Sequence, residues 1–167
     1  MAKQKPKGFT LIEFLIIIAI IAILSAVVFV ALDPLGRFQD TRNSRRWSDI
    51  TSILDAIKVD QVDNGGSYLP AITALTDGQV YMIGDGTSGC DDNCSSTVPV
   101  TDDDNCVDLS GLVSEGYLAE IAISPNGDHT WNASITGYTI SKTALGAITL
   151  EACEAEGVGA DPILLKK

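Results

Sequence analysis

The chain has 167 residues, enough for one folded domain and a membrane anchor. Its net charge is −11, and no Lys or Arg occurs between Lys58 and Lys142, where thirteen Asp and Glu residues lie. Because phosphate binding needs cationic groups, this composition argues against nucleic-acid binding by the body of the protein. The sequence also lacks hydrolase motifs, phosphate-binding loops and His pairs, so we predict that the chain is not an enzyme.

The N-terminus combines a short basic segment, residues 1–8, with a long apolar run. Nineteen residues, Phe14 to Leu32, carry no charge. At about 1.5 Å per residue they span roughly 28 Å as a helix, close to the thickness of the hydrocarbon core. The run is too long for a typical signal-peptide core. Residues 9–33 are therefore predicted to cross the membrane, and the lysines before them place the N-terminus in the cytoplasm and the rest of the chain outside.

Glu13 is a lone charge at the start of this apolar segment. An ionisable side chain at the centre of a membrane helix costs on the order of 2.5–3.5 kcal/mol, and less near an end. Such a residue is a functional-site hypothesis by default. The alternative is a carboxyl group that reaches the membrane interface or is protonated there.

A second helix is predicted over residues 34–64. Proline disfavours helical geometry at the preceding residue, so Asp33-Pro34 predicts a kink or brief break, and residues 9–64 are alternatively one kinked helix. Apolar residues follow at three- and four-residue spacing and are predicted to face a core: Trp47, Ile50, Ile53, Leu54 and Ile57. The arginines are predicted on the other faces, either solvated or near lipid headgroups and acids of neighbouring subunits: Arg37, Arg42, Arg45 and Arg46.

Residues 65–167 are predicted to form an extracytoplasmic head. Alternating or β-branched segments at 79–83, 137–141 and 147–150 predict short strands, and Asp108 is a candidate cap for a helix over 109–115. Short strands facing one long helix indicate an α+β fold with a small antiparallel sheet packed against that helix.

Four cysteines all follow the apolar run: Cys90, Cys94, Cys106 and Cys153. Outside the cytoplasm an even number of cysteines predicts disulfides, with three possible pairings. We favour Cys90–Cys94 and Cys106–Cys153. A zinc site made of four thiolates is the alternative, although the spacing does not suit it.

An acidic loop surrounds the cysteines and suggests calcium, which prefers oxygen ligands. The spacing is not that of an EF-hand, and no other cofactor is predicted. The candidate ligands are Asp91, Asp92, Asp102, Asp103 and Asp104.

The string Lys7-Gly8-Phe9-Thr10-Leu11-Ile12-Glu13 resembles the processing site of type IV pilins and type II secretion pseudopilins. It combines a basic leader, a glycine, an aromatic residue directly after it, an acid five residues after the glycine and an immediate apolar span. The resemblance implies that a prepilin peptidase cleaves after Gly8 and methylates the new N-terminus at Phe9. It implies a structural subunit that interacts with the assembly machinery of the inner membrane and self-associates into a surface or periplasmic filament.

Cleavage would create a cationic amine at Phe9 in apolar surroundings. Pairing this amine with Glu13 of a neighbouring subunit, or of the same chain, would relieve two charges that are costly alone. Glu13 is therefore predicted to be an assembly residue. The alternatives are a secretion pseudopilin or minor pilin and, in a different class, a membrane-anchored extracellular binding module, for example in DNA uptake.

Overall fold

A computed structural model describes residues 8–87, 90, 94 and 106–167. The chain divides into two compact units, Met1–Phe38 and Gln39–Lys167. In the first unit, helix α1 (Leu11–Leu32) buries none of its side chains. Within the described residues, one helical stretch, beginning at Leu11, is long and apolar enough to cross a membrane. Every residue of α1 is therefore exposed.

A single non-helical residue, Asp33, separates α1 from helix α2 (Pro34–Asp63). Its φ of 38° and ψ of 68° are left-handed, and its N–H donates to the carbonyl of Val30. Proline suits the first position of a helix because that position needs no N–H donor. The Asp33 carboxylate accepts a hydrogen bond from the Gly36 N–H at 3.3 Å, so it caps the start of α2. The interruption thus lies at the Asp33-Pro34 pair.

Most of the predicted apolar stripe of α2 is buried. Ile50, Ile53, Leu54 and Ile57 are each at most 1% exposed, as predicted. Trp47, however, is 42% exposed, so its assignment to the core was wrong. The buried face continues instead through Arg46, four residues before Ile50, which is 0% exposed. The prediction that Arg46 lies on an outer face was also wrong, because buried acids compensate its charge.

The head contains short elements after α2. They are helix α3 (Pro70–Thr73), strand β1 (Val80–Met82), helix α4 (Ser110–Ser114) and strands β2 (Tyr138–Lys142), β3 (Ile148–Ala152) and β4 (Leu164–Lys166). The described strands form one antiparallel sheet in the order β1-β2-β3-β4. The strands predicted over 79–83, 137–141 and 147–150 are confirmed, whereas α3 and β4 were not predicted.

Helix α2 packs against this sheet. Its residues Ile53 and Ile57 share one buried cluster with Ile140 and Leu150, which are directly opposite each other in strands β2 and β3. Burying each such side chain contributes roughly 1.5–3 kcal/mol. The predicted α+β fold, a long helix on a small antiparallel sheet, is confirmed.

The cysteines form two disulfides, Cys90–Cys106 and Cys94–Cys153. The predicted pairing was wrong. The Cys106 N–H donates to the carbonyl of Gly86, and Val107 forms a parallel bridge with Ile83. The chain therefore returns alongside the end of β1 and brings Cys106 to Cys90. With every cysteine in a disulfide, no thiolate is left for the zinc site considered as the alternative.

Residues 39–63 of α2 belong to the second compact unit, and we call them the head portion of α2. A buried ion-pair network joins the start of this portion to the segment after β3. Arg46 Nη2 lies 2.9 Å from Glu154 Oε2 and 2.7 Å from Glu156 Oε1, and Arg46 Nε donates to Ser124 Oγ at 3.0 Å. Arg42 forms a second ion pair with Glu156. Glu154 Oε2 also accepts the indole N–H of Trp131 at 3.1 Å. The two carboxylates thus compensate the buried charge of Arg46.

We predict that Arg46→Met destabilises the protein by about 3–5 kcal/mol, because it leaves buried carboxylates without their cation. The matched control is Arg45→Met. The Arg45 side chain is 66% exposed, and its Nε lies 3.7 Å from Asp49 Oδ2. Its loss should cost less than about 1 kcal/mol. Urea unfolding of the full chain in detergent, followed by tryptophan fluorescence, measures both values, and equal losses would contradict the prediction.

A second prediction concerns acid. Hydrogen bonds from Arg42, followed by those from Arg46, hold the pKa of Glu156 below its ordinary value of 4.5, against the opposing effect of burial. A carboxyl group with a lowered pKa in the folded state stabilises it fully above pH 4.5 and loses this contribution as the pH falls through the folded pKa. The stability difference between wild type and Glu156→Gln should therefore narrow below pH 4.5. A difference that stays constant on acidification of the unfolding assay would contradict this.

Candidate functional site at the start of the first helix

The side chain of Glu13 folds back onto Thr10, which is the N-cap of α1. Thr10 has extended backbone angles, and its N–H donates to Glu13 Oε2 at 2.8 Å. The Thr10 hydroxyl donates to the same oxygen at 2.6 Å, and the Glu13 N–H lies 3.3 Å from that hydroxyl. This reciprocal arrangement is a capping box, which satisfies N–H groups that a helix start otherwise leaves unpaired.

The capping box changes how the Glu13 charge is compensated. The N-terminal end of a helix carries partial positive charge, so a carboxylate in its first turn is stabilised. Both Thr10 bonds reach Oε2, and Oε1 makes no hydrogen bond to a described residue. One oxygen is therefore engaged locally, and the other is available for a further donor.

Thr10 is the site residue that sequence reasoning missed. Its signal was present, because Thr10-Leu11-Ile12-Glu13 is a Ser/Thr-x-x-Glu pattern directly before an apolar run. The interpretation of Glu13 as a bare charge overlooked a partner three residues away.

The surroundings of this carboxylate are apolar and uncovered. Phe9 is 78% exposed, Leu11 80% and Phe14 61%. Soluble single chains rarely expose apolar surfaces of this extent, which mark membrane or protein contacts. The start of α1 thus combines one polar pair with a surface that needs lipid or protein around it.

The predicted processing residues lie immediately before the capping box. Gly8, Phe9 and Thr10 are exposed, and no atom lies within 4 Å of the position that a Cβ on Gly8 would occupy. A peptidase would meet no steric obstacle there from the described residues. Cleavage after Gly8 and methylation of Phe9 stay predictions, and the leader lysines lie outside the described residues.

The predicted calcium ligands also lie outside the described residues: Asp91, Asp92, Asp102, Asp103 and Asp104. Within the ranges that the structure describes, no group of three or more His, Cys, Asp and Glu side chains is arranged to hold a metal ion. Calcium binding therefore stays a prediction from composition.

Residues 3–29 match the family described as the prokaryotic N-terminal methylation motif. This motif is the signature of type IV pilins and pseudopilins, so the resemblance predicted from residues 7–13 is confirmed. The match supports a type IV pilin-like or pseudopilin protein, a structural rather than catalytic class, and it implies processing by prepilin peptidase. Neither the curated proteins nor the solved structures contain a match to this chain.

We predict that Thr10→Val loosens the first turn of α1 by about 1 kcal/mol, the usual cost of losing an N-cap. The Glu13 amide, whose acceptor is the lost hydroxyl, should then exchange with solvent roughly fivefold faster. Hydrogen exchange by NMR in detergent micelles measures this rate. Thr10→Ser keeps the hydroxyl and should exchange like wild type, whereas equal rates in the Val variant would contradict the assignment.

Proposed function

We propose that this chain is the structural subunit of a type IV pilus-like filament. The single observation that carries the proposal is an uncovered apolar helix that opens with the methylation motif and contains one carboxylate, Glu13. A plain anchor needs length and apolarity only. An acid close to a cleavage motif is expected of a helix that leaves the lipid and packs against copies of itself.

Assembly would begin with insertion of α1 into the membrane, with the leader lysines in the cytoplasm. Removal of residues 1–8 would then free the amine of Phe9, which the peptidase methylates. A secondary ammonium of this kind remains a cation and a hydrogen-bond donor. In the filament it would pair with Glu13 of a neighbouring copy.

The capping box supports this pairing on energetic grounds. Thr10 occupies Oε2 of Glu13, so Oε1 can accept the amine of the neighbour without breaking the local hydrogen bonds. The carboxylate would then bind its own helix start and the adjacent subunit together. Only one axial stagger of the helices brings the two groups together, so the pair would also set the register of assembly.

A secretion pseudopilin or minor pilin would use the same N-terminal chemistry. The carboxylate geometry favours any assembling subunit over the membrane-anchored binding module, which would have no use for the Glu13 pair. The head, with its acidic surface, would lie outside the filament core. Calcium binding by its acidic loop remains a proposal, tested by a change in melting temperature when calcium is added or chelated.

We predict that Glu13→Leu inserts into the membrane and is cleaved but is largely absent from filaments. Removing one member of a buried ion pair costs about 3–5 kcal/mol, so the filament yield should fall by more than about tenfold. Sheared surface filaments quantified by immunoblot measure this yield. Mass spectrometry of the membrane fraction should still find chains that begin at methylated Phe9.

Glu13→Gln is the matched control that separates charge from helix capping. Glutamine can complete a capping box but carries no charge. If the ion pair drives assembly, the Gln variant should fail like the Leu variant. Wild-type filament yield from Glu13→Gln would sink the pairing hypothesis.

A further inference from the structure

One end of the head is marked by a fully exposed leucine. Leu145 is 99% exposed in the turn between β2 and β3. The Tyr68 hydroxyl donates to the carbonyl of Gly146 at 2.6 Å, and Lys58 Nζ donates to the Tyr68 hydroxyl at 2.9 Å. These bonds place the turn beside the C-terminal end of α2. We call residues 142–148 together with 166–167 the turn end.

A fully exposed valine, Val158, marks a second surface. Its relative exposure is 110%, and it follows Glu156 in the loop after β3. Asn43 Nδ2 donates to the Glu156 carbonyl at 2.7 Å, and the Glu156 N–H donates to Asn43 Oδ1 at 3.0 Å. This loop therefore lies beside the start of the head portion of α2. We call residues 156–161 together with 127–129 the loop end.

The two surfaces lie at opposite ends of the part of α2 that belongs to the second compact unit, residues 39–63. Asn43 holds the loop end, and Lys58 is linked to the turn end. Fifteen residues of helix separate these two positions, which corresponds to about 22 Å at 1.5 Å per residue. Both surfaces belong to the same compact unit, Gln39–Lys167. Leu145 at the turn end and Val158 at the loop end therefore give the subunit two separate places at which to contact copies of itself.

Charge also distinguishes the two ends. The compact unit Gln39–Lys167 has four lysines, and all lie at or next to the turn end: Lys58, Lys142, Lys166 and Lys167. Lys142 Nζ lies 3.4 Å from Asp77 Oδ1, and Lys167 Nζ lies 3.1 Å from Asp55 Oδ1. This end therefore carries both positive and negative side chains. Lys166 is exposed and has no ion pair with a described residue.

The loop end is acidic. Asp128 and Glu151 line a cavity of about 290 Å³ together with Glu154 and Glu156. The arginines on α2 compensate Glu154 and Glu156. Two acids of the loop end, Asp128 and Asp161, form no ion pair with a described residue.

We propose that successive heads pack end to end, with the turn end of one copy against the loop end of the next. Leu145 and Val158 would be covered in this contact, and Lys166, which has no ion pair with a described residue, would face Asp128 and Asp161. Contact between two loop ends would oppose acids and is disfavoured. Because the two contacting surfaces differ, the contact is heterologous, and its repetition produces an open array rather than a closed dimer. This inference rests on the proposed filament function and names the surfaces through which the heads take part.

Thiol cross-linking in filaments of the full-length chain tests the contact. Leu145→Cys and Val158→Cys are combined in one chain, and purified filaments are treated with a short bismaleimide. The end-to-end contact predicts a ladder of dimers, trimers and longer products on a denaturing gel, because each chain offers one thiol to each neighbour. Either substitution alone supplies only one side of the contact and should leave monomers.

The matched control combines Leu145→Cys with Ala133→Cys, an exposed residue that belongs to neither end, and should give no ladder. The inference is overturned if filaments form normally and the 145/158 variant cross-links no more than the single variants. Failure of the unsubstituted chain to form filaments is a different result, because it overturns the proposed function as well.

Discussion

The exposed apolar surface of α1 is the feature that determines where this chain can reside and what it can contact. Twenty-two residues form a helix with no buried side chain. Water is an unfavourable environment for such a helix, so lipid would surround it in a membrane, and in the proposed filament other copies of the chain would replace the lipid. Because lipid tails are as apolar as leucine, apolar contact alone gives little drive for this exchange. A specific polar contact is needed, and Glu13 with its Thr10 cap is the charged group in α1 that could provide it.

The head meets a different requirement, since it must remain folded outside the membrane with a strongly acidic composition. Its core is small, with α2 covering one face of a short-stranded sheet. The Arg46 network fixes α2 to the segment after β3 with charge-assisted hydrogen bonds. The Cys94–Cys153 disulfide ties that same segment to Cys94, and the Cys90–Cys106 disulfide joins Cys90 to the residue before Val107. A buried ion pair is weak evidence for stability in itself, but it makes the position of α2 on the sheet specific.

Sequence reasoning identified the fold because helix and strand periods are local properties. The positions of Ile50, Ile53, Leu54 and Ile57 follow from 3.6 residues per turn, and the strands from alternation. The burial of Arg46 could not be predicted in this way, because its compensating acids lie more than one hundred residues away in sequence. The disulfide pairing failed for the same reason, since the return of Val107 beside Ile83 is a tertiary contact. Short elements such as β4 carry too few residues to show a period.

At the candidate site the situation is reversed. Thr10 and Glu13 are only three residues apart, so the Ser/Thr-x-x-Glu pattern predicts their pairing. The sequence interpretation considered only the cost of the Glu13 charge in the membrane. The acid is not an isolated charge that waits for a partner. It is half compensated by its own helix, which would lower the cost of inserting it into a membrane, and its Oε1 has no hydrogen bond to a described residue.

The central claim is that this chain builds a filament through a processed α1. The most direct test is to shear and purify surface filaments from native cells and to identify their main component by intact mass. One dominant species is expected, which is this chain without residues 1–8 and with a methyl group on Phe9. Chains that retain the leader and remain in the membrane fraction, with filaments made of another protein or none at all, would contradict it.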